Sequence, residues 1–144
     1  MDYGFGPPDE GVSLPIADVP SKLPCCGVFA TALAARVDFR TVWNLMAAKR
    51  KRPGAWKGRT GDKDREAAMK ALGVRFRFVR MDRPVTVSRF AEFHTKPGVR
   101  YVLASNGHIM YLEGGILTDQ YESRVAAEHK HARYRVIKYW ELVE

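Results

Sequence analysis

The chain has 144 residues, 46% of them hydrophobic, and sets 24 Lys and Arg against 16 Asp and Glu for a formal charge of +8. That length suits a single domain able to bury roughly two thirds of its unfolded surface, and no apolar stretch approaches the ~20 residues needed to span a bilayer. The only cysteines, Cys25 and Cys26, are adjacent, which excludes a disulfide framework between distant segments. Residues 1–10, Met-Asp-Tyr-Gly-Phe-Gly-Pro-Pro-Asp-Glu, lack the basic and apolar regions of an export signal, so the expectation is a soluble, cytoplasmic protein with no membrane partner.

Taken in chain order, residues 1–24 carry Pro7, Pro8, Pro15, Pro20 and Pro24, which discourage any helix and predict an extended arm ahead of one domain over 25–144. From Cys26 to about Arg36 apolar residues fall on every side, the pattern of a central buried helix. Phe39, Val42, Trp43 and Met46 follow at i, i+3, i+4 and i+7, predicting an amphipathic helix with Asp38 as its N-cap. Residues 52–61 read as a loop, and Asp62 is the expected cap of a third helix that buries Ala68, Met69 and Leu72 and stops at Gly73. Strands are expected at Val74–Phe78, Val99–Ala104, His108–Leu112, Ile116–Thr118 and Tyr134–Tyr139, with a tight Gly114-Gly115 turn and a short helix over Ser88–Phe93. The fold class is therefore α+β: N-terminal helices, one of them central and buried, packed on a C-terminal antiparallel sheet.

Chemistry concentrates at three positions. Cys26, at the first turn of the buried helix, feels unpaired backbone N–H groups and the positive end of the helix dipole, both of which favour thiolate over thiol. His108 opens one strand and Asp119 lies just beyond the next, so the hairpin between them can bring base and carboxylate together. The order is nucleophile, base, orienting acid. Cys25 takes the nucleophile's place if the helix starts one residue earlier and is otherwise a small buried residue. Gln120 is a further candidate for holding Asp119 or substrate. Taken singly, Cys26 also suits an inert core position, His108 a satisfied strand histidine and Asp119 a turn residue. Trp43 and Trp56 are expected as packing aromatics. His94, His129 and His131 show no ligand spacing beyond one His-x-His pair, so neither metal nor cofactor is expected.

That layout resembles the papain-like cysteine peptidase superfamily, in particular its small single-domain bacterial and phage members, in which Cys-Gly-Val begins the central helix. Gly58-Arg59-Thr60-Gly61 before a helix ending Ala71-Leu72-Gly73, and Asn106-Gly107 leading into His108, add to the likeness. The resemblance implies a papain-like fold over 25–144 and acyl transfer on a peptide-like or isopeptide bond. Cys26 would attack, His108 would carry the proton and Asp119 would orient it, with a protein or peptide as substrate. Such peptidases usually place a Gln upstream of the cysteine for the oxyanion hole; residues 18–25 contain none, offering Ser21, Lys22 and backbone amides.

The run Lys49-Arg50-Lys51-Arg52 has two readings. It is either a solvated helix end, favoured by the dipole and stopped by Pro53-Gly54, or a basic patch for an acidic protein or nucleic acid. The second belongs to an alternative function, a non-catalytic inhibitor or adaptor on the same scaffold.

Overall fold

A computed structural model describes residues 24–143. The arm expected over residues 1–24 lies almost wholly outside the described residues. Four α-helices run over Cys26–Ala35 (α1), Phe39–Ala47 (α2), Asp62–Ala71 (α3) and Val87–Phe93 (α4). Six strands run over Arg75–Thr86 (β1), Tyr101–Ser105 (β2), His108–Glu113 (β3), Ile116–Thr118 (β4), Ser123–Val125 (β5) and Arg135–Val143 (β6). All strand pairs are antiparallel, in the order β1-β6-β2-β3-β4-β5. The α+β class is thus observed, and no helix among the described residues is long and apolar enough to cross a membrane.

Alternation along the strands builds two cores, one on each face of the sheet. Val102 and Ala104 of β2, Ile109 and Tyr111 of β3, and Trp140 and Leu142 of β6 meet α1, α2 and α3. Tyr101 and Leu103, Met110 and Leu112, Leu117 and Val136 face the other way, against Val87 and Phe90 of α4. A sheet covered on both faces leaves no polar side, which is why every residue of β2 is buried. Large side chains such as Phe29, Phe39, Phe90 and Trp140 are essentially inaccessible, and each contributes about 1.5–3 kcal/mol of burial.

Helix α1 is buried from Gly27 to Ala34 and ends at Arg36, which takes a left-handed conformation (φ 57°). Asp38 caps α2 as expected, its carboxylate accepting the Thr41 N–H at 2.7 Å. At α3 the cap differs from expectation: Asp62 is the first helical residue, Gly61 is the N-cap, and Asp64 Oδ2 accepts the Gly61 N–H at 2.8 Å. Asp62 instead pairs with Arg65 and with Lys138. Strand β1 is longer than the alternating segment predicted, because pairing with β6 extends it to Thr86 across an irregularity between Arg80 and Val85. Its face is also less buried than alternation implied: β1 is an edge strand, Phe76 packs on the helices, and Phe78 remains 40% exposed. Likewise β6 continues to Val143, since its register against β1 and β2 runs past Tyr139. The short β5 was not anticipated; its three exposed residues carry no alternating signal.

The loop after α2 is fixed by aromatic packing. Trp43 and Trp56 lie 4.6 Å apart between ring centroids, and Trp56 Nε1 donates to the Arg59 carbonyl at 2.9 Å. Gly58 sits at φ +100° against Trp43, where an added Cβ would come within 2.7 Å of the indole. This packing carries Arg59, Thr60 and Gly61 to the mouth of α1.

Candidate active site

Cys26 heads α1 at the open end of the β2–β3 hairpin, and its Sγ accepts the Ile109 N–H at 3.4 Å. Alternation puts His108 on the face of Met110 and Leu112, opposite α1, α2 and α3, so the site straddles the sheet's end with the thiol arriving from one layer and the imidazole from the other. The β3–β4 register pairs Tyr111 with Thr118. Extended by one residue, it sets Asp119 opposite Met110 and diagonal to His108 on the same face. That diagonal explains the contact: His108 Nε2 lies 2.8 Å from Asp119 Oδ2 across eleven residues of sequence.

Asp119 is 1% exposed and begins a tight turn in which its Oδ1 accepts the N–H of Tyr121 at 2.9 Å and of Glu122 at 3.0 Å. Burial alone would raise its pKa, but the bond from His108, the two amides and the nearby His129 hold it well below the usual carboxylate range. Burial likewise disfavours the His108 imidazolium, yet the bonds to Asp119 and Cys26 overcome it and raise the ring to about 9. With Nε2 committed to Asp119, the hydrogen bond between His108 and Cys26 falls to Nδ1. Desolvation is the largest influence on Cys26 and pushes its thiol up. The His108 bond, the Ile109 amide and the charges of His108 and Arg65 together outweigh it, and the thiol ends below its ordinary value.

Cys25 contrasts with its neighbour. It is fully buried, and desolvation followed by the proximity of Cys26 pushes its thiol up to about 12. It is the N-cap residue of α1, its carbonyl accepting the Phe29 N–H.

A cleft of about 780 Å³ opens over Cys26 and His108, with Gly27, Thr60, Arg65, Gln120 and Tyr121 in its wall. Gln120 is itself 2% exposed, so it can present little surface to a substrate. Gly27 is required by close approach: a Cβ there would meet Thr60 Oγ1 at 2.0 Å and Arg65 Cδ at 3.2 Å. Arg65, 3% exposed, donates to the Thr60 carbonyl and hydroxyl and to Asp62, and its guanidinium stacks 5.2 Å over Trp140. It places a fixed cation near Cys26.

Sequence reasoning missed Arg65 and a cluster of aromatic and histidine side chains around His108. Tyr121 stacks on the ring at 6.0 Å, Tyr134 meets it edge-on at 6.0 Å, and His131 lies 4.5 Å away. The His129-x-His131 pair was the one available signal, but a spacing of two residues does not reveal that both rings turn toward Asp119. His108, Asp119 and His131 bring possible metal-ligand atoms within 4.8 Å of one another. Asp119 Oδ2, however, is 2.8 and 2.7 Å from the two ring nitrogens, distances of hydrogen bonds with an N–H on each line, and the set is a hydrogen-bonded one.

No family model matches the chain, and no curated protein or solved structure does. The site must therefore be read from its own geometry.

The basic run begins just past the end of α2, where the Lys49 and Arg50 N–H groups donate to the Met46 and Ala47 carbonyls at 3.3 and 2.9 Å. Helix α2 itself stops at Ala47, so the four cations follow its last turn and do not lie within it as expected. Arg50 is anchored to Asp64 at 3.1 Å and stacks 4.6 Å over Trp56, while Lys49, Lys51 and Arg52 are exposed.

Proposed function

We propose that this chain is a thiol-dependent hydrolase or acyltransferase of papain-like type, acting on a peptide-like or isopeptide carbonyl through Cys26, His108 and Asp119. One observation carries the reading: the thiol at a helix start shares a histidine with a buried carboxylate, and that histidine is held as imidazolium while the thiol is held toward thiolate. Shifts of this kind, on groups that line a cleft, cluster at functional sites.

Cys26 Sγ adds to the carbonyl carbon, and the carbonyl oxygen takes the negative charge. Collapse of that adduct breaks the carbon–nitrogen bond as His108 hands its proton to the leaving amine, leaving a thioester on Cys26. A water molecule, deprotonated by His108, then attacks the thioester and releases the acid, or an amine takes its place and is acylated. The first-turn N–H groups of α1 at Cys26 and Gly27, which have no carbonyl one turn earlier within the helix, are the nearest donors for the oxyanion. They stand in for the absent glutamine, and Arg65 adds a positive potential.

Iodoacetamide alkylation followed residue by residue with pH tests the reading. Cys26 should alkylate with an apparent pKa below the ~8.5 of a free thiol, and His108→Ala should raise it. His108 should keep its proton through neutral pH and lose it as pH rises through about 9, so the ion pair occupies the window between the lowered thiol pKa and that value. Cys25 should stay protected. A Cys26 that reacts like a free thiol whether or not His108 is present would remove the proposal.

A further inference from the structure

Asp119 accepts four hydrogen bonds, which is all a carboxylate can take. Oδ1 takes two backbone amides; Oδ2 takes His108 Nε2 at 2.8 Å and His131 Nδ1 at 2.7 Å. We propose that His131 is a positioning residue of this site, whose Nδ1–H bond locks the Asp119 carboxylate against His108 and limits how firmly that carboxylate grips the catalytic ring. The inference rests on the Cys26–His108–Asp119 reading.

The protons can be placed from the contacts. His131 donates its backbone N–H to His129 Nδ1 at 3.0 Å, so that nitrogen is an acceptor and His129 carries its proton on Nε2, facing the Glu122 carbonyl at 3.3 Å and Asp119 Oδ1 at 3.5 Å. His131 must carry a proton on Nδ1, because a bare nitrogen and a carboxylate oxygen would repel at 2.7 Å. Its ring centroid is 4.5 Å from that of His108, too close for two imidazolium charges at once. His108 also faces Cys26, so His108 carries the charge and His131 remains neutral. Burial, then the charge on His108, lower the His131 pKa in agreement with that assignment.

Each donor to Oδ2 stabilises the carboxylate's negative charge and so weakens it as a base toward the other donor. Without His131, Asp119 would hold His108 more tightly as imidazolium, and the ring would give up its proton less readily to a leaving group. Other charged groups described around the site have partners of their own. Arg65 from α3 lies toward Cys26 of α1, Glu122 accepts the Lys130 N–H at 2.7 Å, and the Lys130 ammonium sits 4.7 Å over Tyr121. The Tyr134 ring covers His131 at 4.3 Å.

Nitrogen-15 NMR of the histidine rings tests this on the whole chain. In the wild type at neutral pH, His131 should be neutral with its proton on Nδ1 while His108 is doubly protonated; an Nε2–H or charged His131 overturns the inference. In His131→Leu the His108 pKa should rise by about half a unit or more, and in His131→Asn, which keeps an N–H donor, it should return toward the wild-type value. The activity limb governed by His108, or the Cys26 alkylation profile, should move with it. An unmoved or lowered His108 pKa in a folded His131→Leu overturns the inference, and if that variant does not fold, the wild-type tautomer and His131→Asn decide. A Cys26 that behaves as a free thiol in the wild type defeats the triad reading itself. A reactive Cys26 beside a His108 indifferent to His131 defeats the present inference alone.

Discussion

Helix α1 is tied to the same β-hairpin at both of its ends, and the two ties are made of different chemistry. At the N-terminal end, Cys26 meets Ile109 and His108, with Asp119 behind. At the C-terminal end, buried Arg100 donates to the Ala34 carbonyl at 2.9 Å and to the Tyr111 hydroxyl at 3.1 Å. Tyr111 in turn donates to Glu113 at 2.6 Å, and Glu113 pairs with Arg36 at 3.2 Å. Each end obeys the helix dipole: a group that becomes an anion sits at the positive end and cations at the negative end. The difference lies in where their protons are held. Around Arg100, Tyr111 is raised to about 12 and Glu113 is lowered, so nothing titrates near neutrality. Around Cys26 the thiol is lowered while the histidine is raised to about 9, so thiolate and imidazolium coexist in the window between the two titrations. A buried polar network that keeps each group in its ordinary charge state holds the fold, and one that turns a thiol toward thiolate beside an imidazolium offers chemistry.

The comparison can be broken most forcefully at the structural end. Arg100→Met should cost about 3 kcal/mol in urea unfolding, because it strands the Ala34 carbonyl and the Tyr111 hydroxyl, yet it should leave the alkylation pKa of Cys26 unchanged. A shift in that pKa would show that the two ends are coupled through α1. Gly27→Ala acts at the reactive end. Its Cβ must push Thr60 Oγ1 off Arg65, at a cost of about 1–3 kcal/mol, and alkylation of Cys26 should slow as the guanidinium moves. Normal alkylation in that variant would mean that Arg65 has no hold on the thiol. The smallest effect is expected at Arg36→Ala, since both partners of its ion pair are nearly half exposed; chemical denaturation should register under about 1 kcal/mol.

Much of the layout was legible because it follows from local rules. The all-round apolar run after Cys26 makes α1, Asp38 caps α2, and alternation with Gly114-Gly115 makes the β3–β4 hairpin. Elements went astray where tertiary pairing overrode local signal. Asp62 has a capping side chain but is drawn to Arg65 and Lys138, so Gly61 takes the N-cap and the Asp64 carboxylate accepts its N–H. The basic run was expected inside a helix's last turn, but α2 stops at Ala47 and the run occupies the turn just beyond it, pinned by Arg50 over Trp56. Within the site, the hairpin spacing made the His108–Asp119 contact foreseeable. Arg65 was not, because nothing in its sequence surroundings marks it for burial beneath Gly27.

The sequence by itself determined the α+β class, the order of the helices and of every strand except β5, and the candidacy of Cys26, His108 and Asp119, since helix starts, hairpins and periodicity act over a few residues. Tertiary structure alone decided which of two adjacent thiols is lowered and which is buried at about 12, and that His129 and His131 gather on Asp119. Desolvation and hydrogen-bond direction depend on what packs around a side chain from distant segments, and no local pattern records that.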